Sequence, residues 1–505
     1  MDFSLLLSSY ATVWSNPEVL LMTFIGALGG VLLGAIPGMT ATMGVALLIP
    51  FSFGMDLIPS IGLLLGIYCG GMYGGSISAI LIHAPGTPAA AATLLDGYPM
   101  CQKGQAGKAL SVAMFASFVG GVIGALIMTF LSPIIADMAM NFGPGEMFML
   151  AVFGLSVIVA ISGKSIAKGL VSAFFGMLLC TVGLDPTNGI PRFITYKQTG
   201  LLEGFQFIPT LIGLFAVTEV FKQTDPKKKR LSAEDGISGG RVSTKMPSFK
   251  EIWSIKWTML RCSVIGTIVG ILPGAGATIA SFMCYTMETK LSKHPEKFGT
   301  GIIDGIAASE ASNNAATGGA MVPLLSLGIP GGNAAAVMMS ALTLKGVQLG
   351  PLLLTNQPTY LSATFMSMIV TNVLMVVVAM AIAKVFAQIL AIPYSYLGPI
   401  IMMLALIGTY GDQMSATSVQ IMVLAGILGL VVRACHLNSA AIVLGLVLGN
   451  MCEQNFSRGY LMARANVFQM FNPTLHPIAF VLIIVCIVLL VSPVFMSMRK
   501  KKAAS

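Results

Sequence analysis

Apolar residues run in long stretches along this chain, at 19–50, 57–75, 76–95, 109–131, 147–161, 166–184 and 205–220, and again at 257–287, 301–318, 319–344, 359–392, 397–410, 419–432, 439–451 and 477–494. Stretches beyond about 18 residues span a bilayer as helices, and the ten-residue alternation of a barrel strand is absent. The pattern predicts an all-α integral membrane protein with about 10 to 12 transmembrane helices plus re-entrant hairpins.

Polar and helix-breaking residues fall inside some of these stretches, where freed backbone groups find no water. GAIPGMTAT, residues 34–42, is the first such break. It recurs: GVLLGAIPGMTAT from Gly30 aligns with GTIVGILPGAGAT from Gly266 at an offset of 236, with six identities among 13 residues. PGTPAAA (85–91) matches PGGNAAA (330–336) at an offset of 245, with Gly74 and Gly319 in register. The ordered matches predict two structural repeats, residues 1–221 and 257–505, joined by a basic linker at 222–256, and of inverted topology where each half contributes an odd number of crossings.

Paired, Gly/Pro-interrupted segments in two halves point to a secondary transporter's binding site. A broken helix exposes N–H groups where its second half starts, favouring anions, and C=O groups where its first half ends, favouring cations. The candidate substrate and cation ligands are Pro37, Gly38, Thr40, Thr42, Ser76, Pro85, Gly86 and Thr87 in the first half. Pro273, Gly274, Gly276, Thr278, Ser312, Asn313, Asn314, Pro330, Gly331, Gly332 and Asn333 form the second set. The breaks hold no Arg or Lys, so an anion would rest on dipoles and neutral donors. Glu310 and His83 are candidate proton or cation ligands. Plainer readings stand beside these: Gly26, Gly30 and Gly34 form a ridge of the kind that packs helices closely, a single Pro-Gly is a tolerated kink, and a lone His is a packed one.

Composition agrees with the pattern: of 505 residues 56% are hydrophobic and 9% charged, against about 25% charged in soluble domains. The formal charge of +9 invites a nucleic-acid reading, but half of the 28 basic residues lie in two patches, Lys222 to Arg261 and Arg499 to Lys502, flanking apolar spans. Both patches are expected in the cytoplasm. The eight cysteines are scattered and read as thiols, and the first residues carry no basic n-region, so no removable signal peptide is expected. No G-x-x-x-x-G-K-[ST] or HExxH occurs, which argues against a primary pump and against an enzyme. No cofactor or structural metal is implied, and the coupling ion is Na⁺ or H⁺. A single-component anion symporter and an anion channel are the alternatives.

GAIPGMTATMGVALLIPFSFGMD, YGGSISAILIHAPGTPAAAATLLDGYPMCQKGQAGKAL and GILPGAGATIASFMCY resemble the large membrane subunit of the tripartite tricarboxylate transporters, a TctA-like protein. The resemblance implies a bacterial inner-membrane permease that imports tricarboxylates such as citrate, or dicarboxylates, by symport with a cation. It also implies two partners, a small membrane subunit and a periplasmic solute-binding protein. The family's Gly/Pro motifs fall on Gly34, Pro37, Gly38, Gly270, Pro273, Gly274 and Gly276, on Pro85-Gly86-Thr87 and on Pro330-Gly331-Gly332. Thr87-Pro88 in one half becomes Gly332-Asn333 in the other, so the two hairpins need not make equivalent contacts.

Overall fold

The computed structural model describes residues 3–36, 39–161, 166–185, 189–194, 199–223, 246–273, 276–382 and 394–504. The first half contains α1 (Phe3–Ser15), α2 (Pro17–Ala35), α3 (Ala41–Ser52), α4 (Leu57–Ile82), α5 (Ala90–Gln102), α6 (Ala106–Ala139), α7 (Pro144–Ile161) and α8 (Ile166–Cys180). A short antiparallel ribbon, β1 (Gly183–Leu184) and β2 (Pro191–Arg192), precedes α9 (Phe207–Ile212), which passes through one π turn at Gly213–Val217 into α10 (Thr218–Gln223). The second half contains α11 (Phe249–Ser254), α12 (Lys256–Ile271), α13 (Gly276–Leu291), α14 (Ile303–Leu327), α15 (Asn333–Leu344), α16 (Leu353–Asn356), α17 (Pro358–Ile382), α18 (Tyr394–Gln413), α19 (Ala416–Ala434), α20 (Ser439–Met462), α21 (Val467–Met470) and α22 (Pro477–Ala504). Of the predicted linker, residues 224–245 lie outside the described residues.

This is an all-α membrane protein. Among the described residues, α2, α4, α6, α17 and α19 are long and apolar enough to cross a bilayer. Their outward faces carry exposed large apolar side chains such as Phe130, Ile134 and Met138 on α6 and Leu424, Ile427 and Val431 on α19, a surface suited to lipid rather than water. Helix starts follow capping chemistry. Asn16 accepts hydrogen bonds from the amides of Glu18 (2.9 Å) and Val19 (3.4 Å), with Pro17 at the first helical position.

The sequence pattern ends one stretch at Gly75 and another at Gly318, yet α4 and α14 run straight through both positions. Glycine serves close approach there. A Cβ on Gly74 would stand 2.5 Å from the Val31 carbonyl oxygen, and one on Gly318 would stand 2.4 Å from the Gly124 carbonyl carbon. The Gly26, Gly30, Gly34 ridge is likewise a packing ridge, since Cβ atoms on these residues would fall within 2.1 to 2.6 Å of the carbonyl oxygens of Leu63, Ile67 and Gly71 on α4.

α4 is buried from Pro59 to Ile82 and α14 from Gly305 to Ser326, so these two helices form the centre of one body. Around them pack α2, α5, α6, α12, α13 and α17, with α6 of the first half against α14 of the second and α17 of the second against α4 of the first. A second body joins α7 to α10 with α18 to α20 and α22. Helices α3 and α15 bridge the bodies, touching each other and also α18, α9 and α20.

Polar residues within and just after α5, and just after α15, clasp the opposite half. Asp96, fully buried, accepts from the amides of Gly301 (2.8 Å) and Ile302 (3.1 Å) and from the Tyr285 hydroxyl (2.8 Å). Lys103, the C-cap of α5, donates to the Thr300 carbonyl (2.6 Å) in the α13–α14 loop. Lys345, the C-cap of α15, donates to the carbonyls of Phe53 (3.1 Å) and Met55 (2.5 Å) in the α3–α4 loop. Each half therefore ends its second broken helix on a loop of the other.

A third clasp lies beside the linker. Glu251 of the α11 capping box also receives the Lys108 ammonium of α6. That hydrogen bond, and those from Ser248, hold its carboxyl at about 2, below the ordinary 4.5. A carboxyl held low in the folded state contributes its full stabilisation above the ordinary value and loses it as pH falls from 4.5 to about 2. Acid titration through that window is expected to release α11 from α6. Acrylamide quenching of Trp253, with Trp14 and Trp257 replaced by Phe, should rise there, and a flat signal would count against the clasp.

Candidate functional site

In both halves the break in one helix seats against the break in the next. Gly86 donates its amide hydrogen to the Gly75 carbonyl at 3.1 Å, while a Cβ on Gly86 would lie 1.9 Å from the Gly34 carbonyl oxygen. Gly331 donates to the Ala320 carbonyl at 3.3 Å, and its Cβ would lie 2.7 Å from the Gly270 carbonyl oxygen. The offsets of 236 and 245 read from the sequence map one set of contacts onto the other. They also map the Gly74 approach to Val31 onto that of Gly319 to Thr267, at 2.2 Å.

These paired breaks turn four half-helix N-termini toward a single cavity of about 470 Å³. Thr40, Ala41 and Thr42 open α3; Thr87, Pro88 and Ala89 lead into α5; Gly276, Ala277 and Thr278 open α13; Gly332, Asn333 and Ala334 open α15. Thr40 Oγ1 caps α3 by accepting from the Met43 amide (3.3 Å), and Thr87 Oγ1 accepts from the Ala90 amide (3.3 Å). Each N-terminus carries roughly half a positive charge, so four of them approach the charge of a dicarboxylate. The volume sits within the range of about 300–1,000 Å³ usual for small-molecule sites.

The second body closes the cavity with Leu214, Phe215, Thr218, Glu219, Arg433, Asn438 and Ser439. Arg433, in the last turn of α19, meets Glu219 of α10 at 3.2 Å; the Glu219 side chain is 8% exposed and that of Arg433 48%. Arg433 also lines an adjoining cavity of about 380 Å³ with Lys168, His436 and Asn333. The larger cavity thus opens toward a basic mouth. The sequence pattern did not single out Glu219, Arg433 or this mouth, because these residues lie at the ends of apolar stretches and outside the repeated motifs.

The structure brings together Thr40, Thr42, Thr87, Gly276, Thr278, Gly332 and Asn333. Gly86, Gly331 and the buried Pro273 and Pro330 lie behind the wall, Pro85 is half-buried beside them, and Pro37, Gly38 and Gly274 fall outside the described residues. Ser76 and Ser312 donate to backbone carbonyls of their own helices, Tyr73 (2.7 Å) and Ala308 (2.7 Å). His83 is the exposed, left-handed C-cap of α4 (φ 56°), with its ring 4.5 Å from that of Tyr98. Glu310, Asn313 and Asn314 are fully buried on α14 and do not line the cavity.

The chain matches the tripartite tricarboxylate transporter TctA family over residues 20–444. It is 36% identical over 489 residues to an Agrobacterium vitis protein described as an uncharacterized 52.8 kDa protein in the TAR-I ttuC' 3' region, covering 96% of both chains. It is also 36% identical over 242 residues to an uncharacterized protein in the TAR-II ttuC' 3' region of Agrobacterium vitis, covering 47% of this chain and 97% of the other. No solved structure matches.

Proposed function

Because this chain belongs to the tripartite tricarboxylate transporter TctA family, we propose that it is the large permease subunit of a carboxylate importer driven by a cation gradient. The observation that carries this reading is the convergence of four helix N-termini and the Arg433 guanidinium on one cavity. Such an array supplies partial positive charge without a fixed excess of ammonium groups, which suits an anion that has to be released after each crossing. The substrate class is a tri- or dicarboxylate.

The partners in this reading are a small membrane subunit and a periplasmic solute-binding protein, which delivers the anion. The chain sits in a bacterial inner membrane with the linker and the C-terminal tail in the cytoplasm. The position of the cavity between two bodies favours alternating access by movement of one body against the other, with the halves as inverted repeats. Anion-favouring N-termini rather than rings of carbonyls line the cavity, which supports a carrier over a cation-selective filter.

The test is uptake of radiolabelled di- and tricarboxylates into proteoliposomes containing both membrane subunits, with binding protein added outside and Na⁺ and pH gradients imposed separately. Accumulation above equilibrium, lost when the gradient collapses, is expected. Equilibration that ignores the gradients would overturn the reading in favour of a channel.

A further inference from the structure

Behind the cavity wall, α14 holds a carboxylate with no charged partner. Glu310 is fully buried, and none of the ion pairs among the described residues involves it. Its two oxygens accept from the hydroxyls of Thr93 on α5 (2.5 Å) and Ser117 on α6 (2.9 Å). An ionised carboxylate in a membrane interior is costly even with two hydroxyl donors, so a positive charge is missing from this picture.

Two further oxygens make the same request. Asn313 and Asn314 lie three and four residues beyond Glu310, on the same helix face, and both are fully buried. Among the described residues their Oδ1 atoms have no hydrogen-bond partner. The amide nitrogens face backbone carbonyls, Asn313 that of Met72 (3.4 Å) and Asn314 that of Glu310 (3.3 Å). Asn314 also donates to Ser117 Oγ at 2.8 Å, the hydroxyl that donates to Glu310. A carboxylate and two unsatisfied amide oxygens are the hard oxygen donors of an alkali cation. A proton would neutralise Glu310 but leave both amide oxygens unsatisfied.

We propose that Glu310, Asn313 and Asn314 form a Na⁺ site separate from the carboxylate cavity. This rests on the transport reading only for calling the ion a coupling ion. Met72 links the two sites, since its carbonyl receives the Asn313 amide while the residue itself lines the cavity. The site belongs to one half. At the offset of 245, Leu65, Tyr68 and Cys69 stand opposite Glu310, Asn313 and Asn314, and Cys69 Sγ meets Met368 Sδ at 3.7 Å. The repeat thus keeps the anion-facing breaks twice and the cation ligands once.

The experiment uses the purified full chain in detergent, titrated with NaCl, KCl or choline chloride at constant ionic strength. Wild type is expected to gain about 3–6 °C in melting temperature with Na⁺ alone and to bind radiolabelled Na⁺ saturably. Glu310→Gln keeps the shape and offers both hydroxyls a partner, so it should elute as wild type while Na⁺ binding weakens at least tenfold; Asn314→Leu should do the same. Trp257→Phe, at an exposed position on α12, should keep the Na⁺ response. Absence of Na⁺-specific binding in wild type, or its retention in Glu310→Gln, would overturn the proposal. Na⁺ binding that obeys these variants in a protein showing no carboxylate uptake would leave the ion site standing and remove the transport reading instead.

Discussion

Gly86→Ala is expected to reduce carboxylate uptake about 5- to 100-fold and to lower the melting temperature by a few degrees. The added methyl carbon would sit 1.9 Å from the Gly34 carbonyl oxygen, 2.9 Å from the Gly75 Cα and 3.1 Å from the Gly34 carbonyl carbon. All three are backbone atoms, so no side chain can rotate out of the way. Overpacking costs typically about 1–3 kcal/mol, and each 1.4 kcal/mol is tenfold in an equilibrium constant. The strain lands on the junction that aims α3 and α5 at the cavity. Gly332→Ala is the matching control: this residue lines the same cavity, has an extended backbone (φ −172°), and nothing stands within 4 Å of its added carbon. It should keep the wild-type melting temperature. Equal behaviour of the two variants would show that the seating of Gly86 on Gly34 does not set the cavity.

Arg433→Gln is expected to raise the apparent KM for the carboxylate about 10- to 100-fold while leaving the maximal rate within a few-fold. A hydrogen bond to a charged group contributes about 1.5–3 kcal/mol, which converts to that range at 1.4 kcal/mol per decade. Part of the loss would come from Glu219, which loses its Arg433 ion pair at 8% exposure on the wall the anion approaches. The double variant Glu219→Gln/Arg433→Gln should regain stability but only part of the affinity. Arg433→Lys should fall between, because an ammonium keeps the charge and loses the two-pronged geometry. Uptake kinetics in proteoliposomes check all three. An unchanged KM in Arg433→Gln would make the ion pair a structural tie between α10 and α19.

The breaks were readable because helix-breaking residues recur at fixed offsets in an apolar background, and the recurrence survives as matching backbone contacts at Gly34, Gly86, Gly270 and Gly331. Glycines inside α4 and α14 misled the reading of helix ends. Composition does not distinguish a glycine that ends a helix from one that lets a neighbouring backbone touch it, and Gly75 and Gly318 are of the second kind. Arg433 was illegible for another reason: it comes from a helix outside the repeated motifs and more than 200 residues from Glu219, so no local pattern links them. Glu310 was legible as a buried acid. Its neighbours Thr93 and Ser117 come from other helices, and only the packing of α5 and α6 on α14 reveals them.

The exchange of helices between the halves also constrains how the chain is made. Gly120 and Gly124 of α6 pack on Ala311 and Ala315 of α14, about 190 residues later, so at ribosomal speeds the first surface waits roughly 10 to 40 s for its partner. Meanwhile α14 is long enough to span but lacks the apolarity of the five helices that qualify, since it carries Glu310, Asn313 and Asn314. The helices carrying Ser117 and Thr93, which receive its acid in the folded chain, are made before it. The order of the two halves along the gene is in this sense an assembly instruction: transposing them would ask the more polar helix to insert before its cradle exists.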